Sequence, residues 1–476
     1  MQANVTQQLA SFVTATRFED LPREVVHETK RILLDIFGCA IGSVDLAKGR
    51  IAVEFARAAG GAGEASILGT RHRVAATNAA FANGELMHAL DYCPLLPPNH
   101  ITALVTPAPL ALAEATGASG KILITAVALA HEVASRVGVS LDPMRAKKGG
   151  LVVPTWGLGF DQFGATAGAA KVLNLDPIAM TDALGLAGYF APVPSHNKFL
   201  LSPQGGGMAK YGPAGWTAQG GVTTAMLARM GYEGDRSVLE GESGFWAMTA
   251  SHACDLSKIT GGLGNEWNLL RVRYKRWPCC GVFQSPLGAF TKLVVENDLK
   301  PDEMQHVLIR NEEHNLLPRF QYGKIQHHVD TQTNLPYNIA LAAHRVPVSA
   351  AWQSDKNVKD PRVLAFMSKV TIEPYARAEE TRHQELIVEK RSYIERRPCV
   401  VQVTARGKAF TATAEYAQWL SLDNREFRAT DADLADKFRA NAAEALEPNK
   451  IEKAIDRIMS LDNIDNVAEL IDVLVP

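Results

Sequence analysis

The stretch SGKILITAVALAHEVASRVG, residues 119–138, is apolar on almost every side of a helix. A helix without a polar face has to be surrounded by others, so this segment calls for a core several helices deep. Ser119 suits its start and Gly138 its end. LPREVVHETKRILLDIFGCAIGS carries Pro22 near its start, an apolar face through Val25, Val26, Ile32, Leu33 and Ile36, and Gly38 and Gly42 toward its end. TWGLGFDQFGATAGAAKVLNLD, IAMTDALGLAGYFA and AGWTAQGGVTTAMLARMGYEG repeat the alanine- and glycine-rich texture. Small residues let neighbouring backbones approach closely. The expectation is a compact helical domain from the N-terminus to about residue 269.

Near residue 270 the texture changes. LLRVRYKRWPCCGVF is basic and aromatic, and HVLIRNEE, KVTIEPY and CVVQVTARGKAFTATAEY alternate as short strands do. Helical segments, SPLGAFTKLVVEND and TNLPYNIALAAHRV, lie between them. ATDADLADKFRANAAEAL and KIEKAIDRIM then restore helical periodicity. The fold class is therefore mainly α with an inserted α+β domain: residues 1–269 and 412–476 form one helical domain and 270–411 the insertion. A chain of 476 residues exceeds the roughly 250 to 300 over which a single core keeps growing, in keeping with two domains.

A net charge of −2 without any basic block argues against nucleic acid or an anionic membrane as partner. A small molecule fits better. The N-terminal MQANVTQQLASFV lacks the charged and apolar regions of a secretory signal, and no unbroken apolar run nears the roughly 18 residues of a spanning helix. A cytoplasmic protein with reduced thiols is expected, since Cys39, Cys93, Cys254, Cys279, Cys280 and Cys399 are too irregularly spaced for a disulfide framework.

Familiar motifs fail on chemical grounds. SPQGGGMAKYG lacks the Gly-Lys-Ser/Thr ending of a phosphate loop, HEVAS lacks the second histidine of a zinc helix, QHHVD has no companion ligand cluster, and the adjacent Cys279 and Cys280 are not Cys-x-x-Cys. A site without metal or cofactor is expected. The positive candidates are ionisable groups beside glycine or proline: His88, Asp91 and His100 in HALDYCPLLPPNH; Lys210 after three glycines; Arg273, Lys275 and Arg276 before WPCCG; Tyr337 in TNLPYN. Taken singly, each suits a cap, a loop or a solvated strand face, as most ionisable residues do. Together they compose an anion site.

The order of these pieces resembles the MmgE/PrpD family. The likeness runs through NGELMHALDY, His100, TPAPLALAEATGASGKILITAVALAHEVASRVG, PTWGLGFDQFGATAGAAKVLNLD, GGGMAKYGPAGWTAQGGVTTAMLARMGYEG, LEGESGF, YKRWPCCG and LPYNIALA, about residues 8 to 345. It implies a two-domain fold with an α+β lid, a homodimer, and a cofactor-independent site in the cleft between helical domain and lid. It further implies that Asp91, His100, Lys210 and Tyr337 are catalytic and that His88, Lys275, Arg276 and Gln284 bind substrate. The family's dehydrations, decarboxylations and epimerisations of small polycarboxylates pass through carbanion- or enolate-like species, which need a positioned base and cationic groups.

Three departures shape the expectation. YCPLLPPN, with Cys93 and Leu95, stands where many members continue with aspartates and a threonine. Val153 and Gln284 stand where family histidines do. The first reading is a lyase, dehydratase or decarboxylase, acting on a small polycarboxylate. The alternatives are an epimerase or isomerase of a dicarboxylic acid such as iminodisuccinate, and a non-catalytic helical scaffold.

Overall fold

The computed structural model of the chain describes residues 4–98, 100–141, 144–146, 152–154, 159–201, 207–210, 212–249, 251–321, 325 and 327–476. The helix foreseen in residues 119–138 spans Gly120–Ser140, with the Ser119 side chain accepting from the Ile122 N–H at 3.4 Å. It is long and apolar enough to cross a membrane, yet 89% of its apolar window is buried inside the protein, and Thr125, His131, Glu132 and Arg136 lie along it. It packs along the Asp161–Val172 helix. A side-chain carbon at Gly164 would stand 2.3 Å from the Ala130 carbonyl oxygen, so only glycine permits this approach.

A second close crossing places the site. The helix Ala76–His88 packs against Ala214–Arg229, and a carbon added at Gly84 would lie 2.9 Å from the Gly215 Cα. Gly84 is one turn before His88, and Gly215 shortly follows Lys210. The crossing therefore brings the end of one helix, where the HALDY segment begins, beside the entry to another, where Lys210 sits.

The helices Asp431–Ala442 and Pro448–Met459 return to pack on Arg23–Ile41. Thr430 and Asp433 form a capping box that starts the first, and Ile451, Ala454, Ile455 and Ile458 make the buried face of the second. Between these two halves of the helical body lies a four-stranded sheet in the order Val370–Pro374, Met304–Asn311, Arg396–Ala405, Lys408–Tyr416. The first pair is parallel and the others antiparallel. Cys399, Val401, Val403 and Ala405 alternate inward along their strand, and the Gln284–Glu296 helix packs on the sheet. The last strand continues to Tyr416, past the expected limit at residue 411. Short hairpins, Ala65–Ser66 with Arg73–Val74 and Met144–Ala146 with Val152–Pro154, carry no clear alternation and were not foreseen in the sequence. The six cysteines are free.

Candidate active site

The HALDYCPLLPPNH segment leaves the helix at His88 and turns sharply. Asp91 takes a left-handed backbone conformation, φ 52°, which aspartate tolerates better than most residues. Backbone pairing then fixes the loop against the lid: the Leu95 N–H donates to the Arg273 carbonyl and the Arg273 N–H to the Leu95 carbonyl, both at 2.8 Å. The Tyr92 hydroxyl donates to the Arg276 carbonyl at 2.8 Å, and the Ser135 hydroxyl to the Pro97 carbonyl at 2.6 Å. Gly138 leaves room for Pro98, whose Cδ would be 2.7 Å from an added carbon. The loop is thus tied to the lid on one side and to the central helix on the other.

Asp91 gathers three cationic or protonatable groups on one oxygen. Its Oδ1 is 2.7 Å from Lys275 Nζ, 3.1 Å from Lys210 Nζ and 3.6 Å from His100 Nε2. Lys275 Nζ also donates to the Asp91 carbonyl at 2.7 Å. His88 stands edge-on to His100 with ring centroids 5.7 Å apart, and Cys93 Sγ lies 3.6 Å from His100 Nδ1. Asp91, Lys210, Lys275 and His88 are buried. Lys210 is itself left-handed, φ 55°, a conformation that costs a lysine roughly 1–2 kcal/mol and needs surrounding structure to hold it.

Burial and mutual charge set the protonation states. Burial opposes ionisation of Asp91, but the Lys210 and Lys275 ammonium groups overcome it and hold the carboxyl well below the usual range. Lys210 is brought down to about 8, chiefly by burial, with the Lys275 charge adding to it and Asp91 opposing. Burial weighs most on Lys275, yet Asp91, together with Cys93 and Cys280, turns the balance and raises its pKa. His100 is lowered by burial and then by Lys275, and His88 by burial and then by Lys210. Near neutral pH the cluster therefore holds one carboxylate, one permanent ammonium, one ammonium that can give up its proton, and neutral imidazoles. One positive charge remains in excess, which suits an anionic ligand.

Other contacts support the loop from remote segments. Lys437 Nζ pairs with Asp35 Oδ2 at 2.7 Å, donates to the Tyr92 and Lys275 carbonyls at 2.8 and 3.2 Å, and lies over the Tyr92 ring. Gln332 Nε2 donates to the Ala89 carbonyl and Gln353 Nε2 to the Leu90 carbonyl, each at 2.6 Å. A cleft of about 900 Å³ lies between helical body and lid, lined among others by Arg50, Met208, His327, His328, Gln353 and Asp355. Met208, two residues before Lys210, is part of its wall, and the Lys210 charge adds to the lowering of the His328 pKa by burial.

Three expected site residues are engaged elsewhere. The buried Tyr337 hydroxyl donates to the Trp352 carbonyl at 2.7 Å, and burial raises its pKa, so it braces the lid helix Leu335–Ala343 instead of moving protons at Asp91. The Arg276 guanidinium donates to Gln418 Oε1 and lies between Trp277 and Trp419, 5.3 and 5.8 Å from their centroids. Gln284 Oε1 accepts from the Arg276 and Trp277 N–H groups at 3.0 and 3.1 Å, while its Nε2 donates to the Trp277 carbonyl at 3.0 Å. Gln284 shapes the turn that presents Lys275. The Val153 side chain lies outside the described residues.

The sequence reading missed His196, on the short helix His196–Leu201, which Lys210 and Asp91 reach electrostatically; burial, then Lys210, lowers it to about 4. No pattern in HNKFLL marks it. It also missed Cys93 as a neighbour of the imidazoles. His88, Cys93 and His100 offer ligand atoms within 4.8 Å of one another, a geometry that could hold a metal ion. Burial keeps the Cys93 thiol protonated, up to about 11, and the two adjacent ammonium groups repel a cation. The electrostatics favour an anion there.

Comparison with known proteins agrees with these features. The MmgE/PrpD N-terminal domain matches residues 7–254, and the MmgE/PrpD C-terminal domain matches 277–462. Cis-aconitate decarboxylase of Aspergillus terreus is 28% identical over 308 residues, which are 61% of this chain and 60% of that protein. The matched region thus spans about three fifths of that fungal relative's length. Cis-aconitate decarboxylase of Homo sapiens is 24% identical over 499 residues, covering 100% of this chain and 95% of that protein; that of Mus musculus is 23% identical over 504 residues, covering 99% and 93%. With family domains matched along most of its length, the chain belongs to the MmgE/PrpD family.

Proposed function

We propose that the chain is a lyase that removes carbon dioxide or water from a small polycarboxylate by proton transfer beside a carboxylate. The observation that carries this reading is the single Asp91 oxygen shared by Lys275, Lys210 and His100. Keeping two ammonium groups buried around one carboxylate is costly, and a scaffold would gain more from apolar packing there. The excess positive charge meets a substrate carboxylate, and the same ammonium groups stabilise negative charge that develops on the adjacent carbon. The relatives named cis-aconitate decarboxylase favour decarboxylation within that class.

In a decarboxylation, the bond from carbon to the departing carboxylate breaks and its electron pair passes into the unsaturated system beside a retained carboxylate. Lys275 stays charged and balances the resulting anion. The Lys210 ammonium gives its proton to the carbanion carbon and recovers one from solvent. Asp91 holds both lysines in place, and neutral His100 hydrogen-bonds a substrate oxygen. No step needs Tyr337, Arg276 or Gln284 to touch the substrate.

The working enzyme is proposed to be a homodimer. Trp216, Met230 and Tyr232 are 53, 76 and 59% exposed, on or just after the Ala214–Arg229 helix. These exposed apolar side chains, at the two ends of one helix, support that reading.

A panel of citrate-, aconitate- and aspartate-derived acids, incubated in deuterated water and followed by mass spectrometry, tests the function. The lyase reading expects loss of carbon dioxide or water from one of them. Deuterium entering recovered substrate without loss of mass elsewhere would identify an epimerase, and no change in any acid would leave only a scaffold.

A further inference from the structure

The cleft between helical body and lid is roomier than the chemistry at Asp91 requires. Its volume of about 900 Å³ lies within the roughly 300–1,000 Å³ that enclose a drug-sized ligand, and a six-carbon acid fills only part of it. The charged side chains around it, Asp45, Arg50, Asp355, Lys359 and Glu444, are all exposed and stand at its rim. Its buried lining is neutral, made by Leu46, His328 and Gln353, and half-buried Ala47, Met208 and Ile325 add apolar surface.

The two buried polar side chains on that wall differ. Gln353 is engaged at both ends of its amide: Oε1 accepts from Gln332 Nε2 at 2.8 Å, and Nε2 donates to the Leu90 and Pro278 carbonyls at 2.6 and 2.8 Å. His328, at the start of the short helix His328–Thr331, is only 6% exposed, yet neither ring nitrogen meets a hydrogen-bond partner among the described residues. Burial brings its pKa down to about 4, so the ring is neutral and can donate from one nitrogen and accept at the other. A buried imidazole beside open space and without a partner is costly until a ligand supplies one. The same wall supports the cluster. Met208 lies two residues before Lys210, and Gln353 holds the carbonyl of Leu90, the residue before Asp91. A ligand in the cleft therefore lies against the supports of both members of the Asp91–Lys210 pair, whose charged atoms are 3.1 Å apart.

We propose that the cleft receives a neutral, mainly apolar extension of the substrate, and that His328 hydrogen-bonds a polar group on it. The inference rests on the polycarboxylate reading above and deepens it: the substrate class is a polycarboxylate carrying an uncharged chain, such as a hydroxyalkyl amide. The carboxylates meet the ammonium groups at Asp91, and the chain lies along Met208 toward His328. A charged tail would have to leave water for a buried lining that offers no counter-charge. An acid without the extension still fits at Asp91 but leaves the cleft to water.

The test is calorimetric binding of two terminal monoamides of propane-1,2,3-tricarboxylate, the N-methyl and the N-(5-hydroxypentyl) amide, which carry the same charge and differ only in the extension. The proteins are the full chain, His328→Phe, which keeps the apolar wall but removes the hydrogen bond, and Ala351→Phe, whose larger side chain fills part of the cleft. The full chain should bind the hydroxypentyl amide at least about tenfold more tightly than the methyl amide. His328→Phe should cut that advantage by about fivefold, the size of one hydrogen bond, and leave the methyl amide unchanged. Ala351→Phe should abolish the advantage, and it decides alone if His328→Phe does not fold. Equal binding of the two amides to the full chain, or an advantage that survives either substitution intact, overturns the inference. If the advantage is found but no acid is turned over, the lyase reading fails and the subsite stands. If an acid is turned over and the advantage is missing, the subsite alone fails, and absence of both binding and turnover overturns both.

Discussion

Asp91 works as an electrostatic hinge because its charge is fixed by its neighbours. Its pKa is depressed in the folded protein, so its ionised form contributes stability that is fully present above the unfolded value, about 3.9, and is lost as pH falls toward the lower folded value. Replacing it by asparagine leaves Lys210 and Lys275 buried without a counter-charge. Asp91→Asn should lose about 3–5 kcal/mol in denaturant melts and turnover with it. Lys210 gives a complementary test, since its pKa near 8 is the one in the cluster that lies close to physiological pH. Deprotonation removes both the proton donor and the charge, so kcat/KM should fall as pH rises through about 8, whereas Lys275, with its raised pKa, stays charged there. At this scale the sequence was informative where glycine or proline adjoined an ionisable group, as at Asp91, His100 and Lys210. Tyr337, Arg276 and Gln284 bond instead to nearby backbone or to Gln418 and indole rings, partners that no spacing in the sequence announces. His196 had no local signal because its surroundings depend on what the fold lays beside it.

At the scale of elements, two helix contacts hold the site in register. The Gly84–Gly215 crossing keeps the end of Ala76–His88 beside Lys210. Gly84→Val should cost about 1–3 kcal/mol by overpacking and lower turnover more than global stability implies, because it separates Asp91 from Lys210. Comparing stability in urea with kcat distinguishes the two effects. The helix Asp431–Ala442 acts through Lys437, whose buried pair with Asp35 and bonds to the Tyr92 and Lys275 carbonyls tie a distant segment to the loop. Lys437→Met should cost about 3–5 kcal/mol, and the added Asp35→Leu change should restore much of it without restoring full activity. The long helices and the inner strands were legible from periodicity, as with Gly120–Ser140 and Arg396–Ala405. The pairing of Asp35 with Lys437 was not, since neither residue's own neighbourhood announces a partner so far along the chain.

For the whole molecule, the architecture explains why a site forms at all. The helical body supplies the HALDY loop and Lys210, and the lid segment supplies Lys275 and the glutamines that brace the loop. The small-residue texture made the helical body readable from its first long segment, whereas the sheet's outer strand, alternating weakly, blurred the end of the lid. The proposed homodimer predicts a sedimentation-equilibrium mass about twice the 51.6 kDa of one chain, reduced toward that value by Trp216→Glu.

If the lysines and histidine around Asp91 perform lyase chemistry on a polycarboxylate, cis-aconitate supplied in deuterated water to the full chain and to Lys210→Ala separates the two proteins by carbon dioxide release and by deuterium in the product. The expected result is one carbon dioxide released and one deuterium gained per turnover, with a rate at least about a hundredfold lower in Lys210→Ala. Undiminished turnover by Lys210→Ala, or release of carbon dioxide without deuterium in the product, would contradict it.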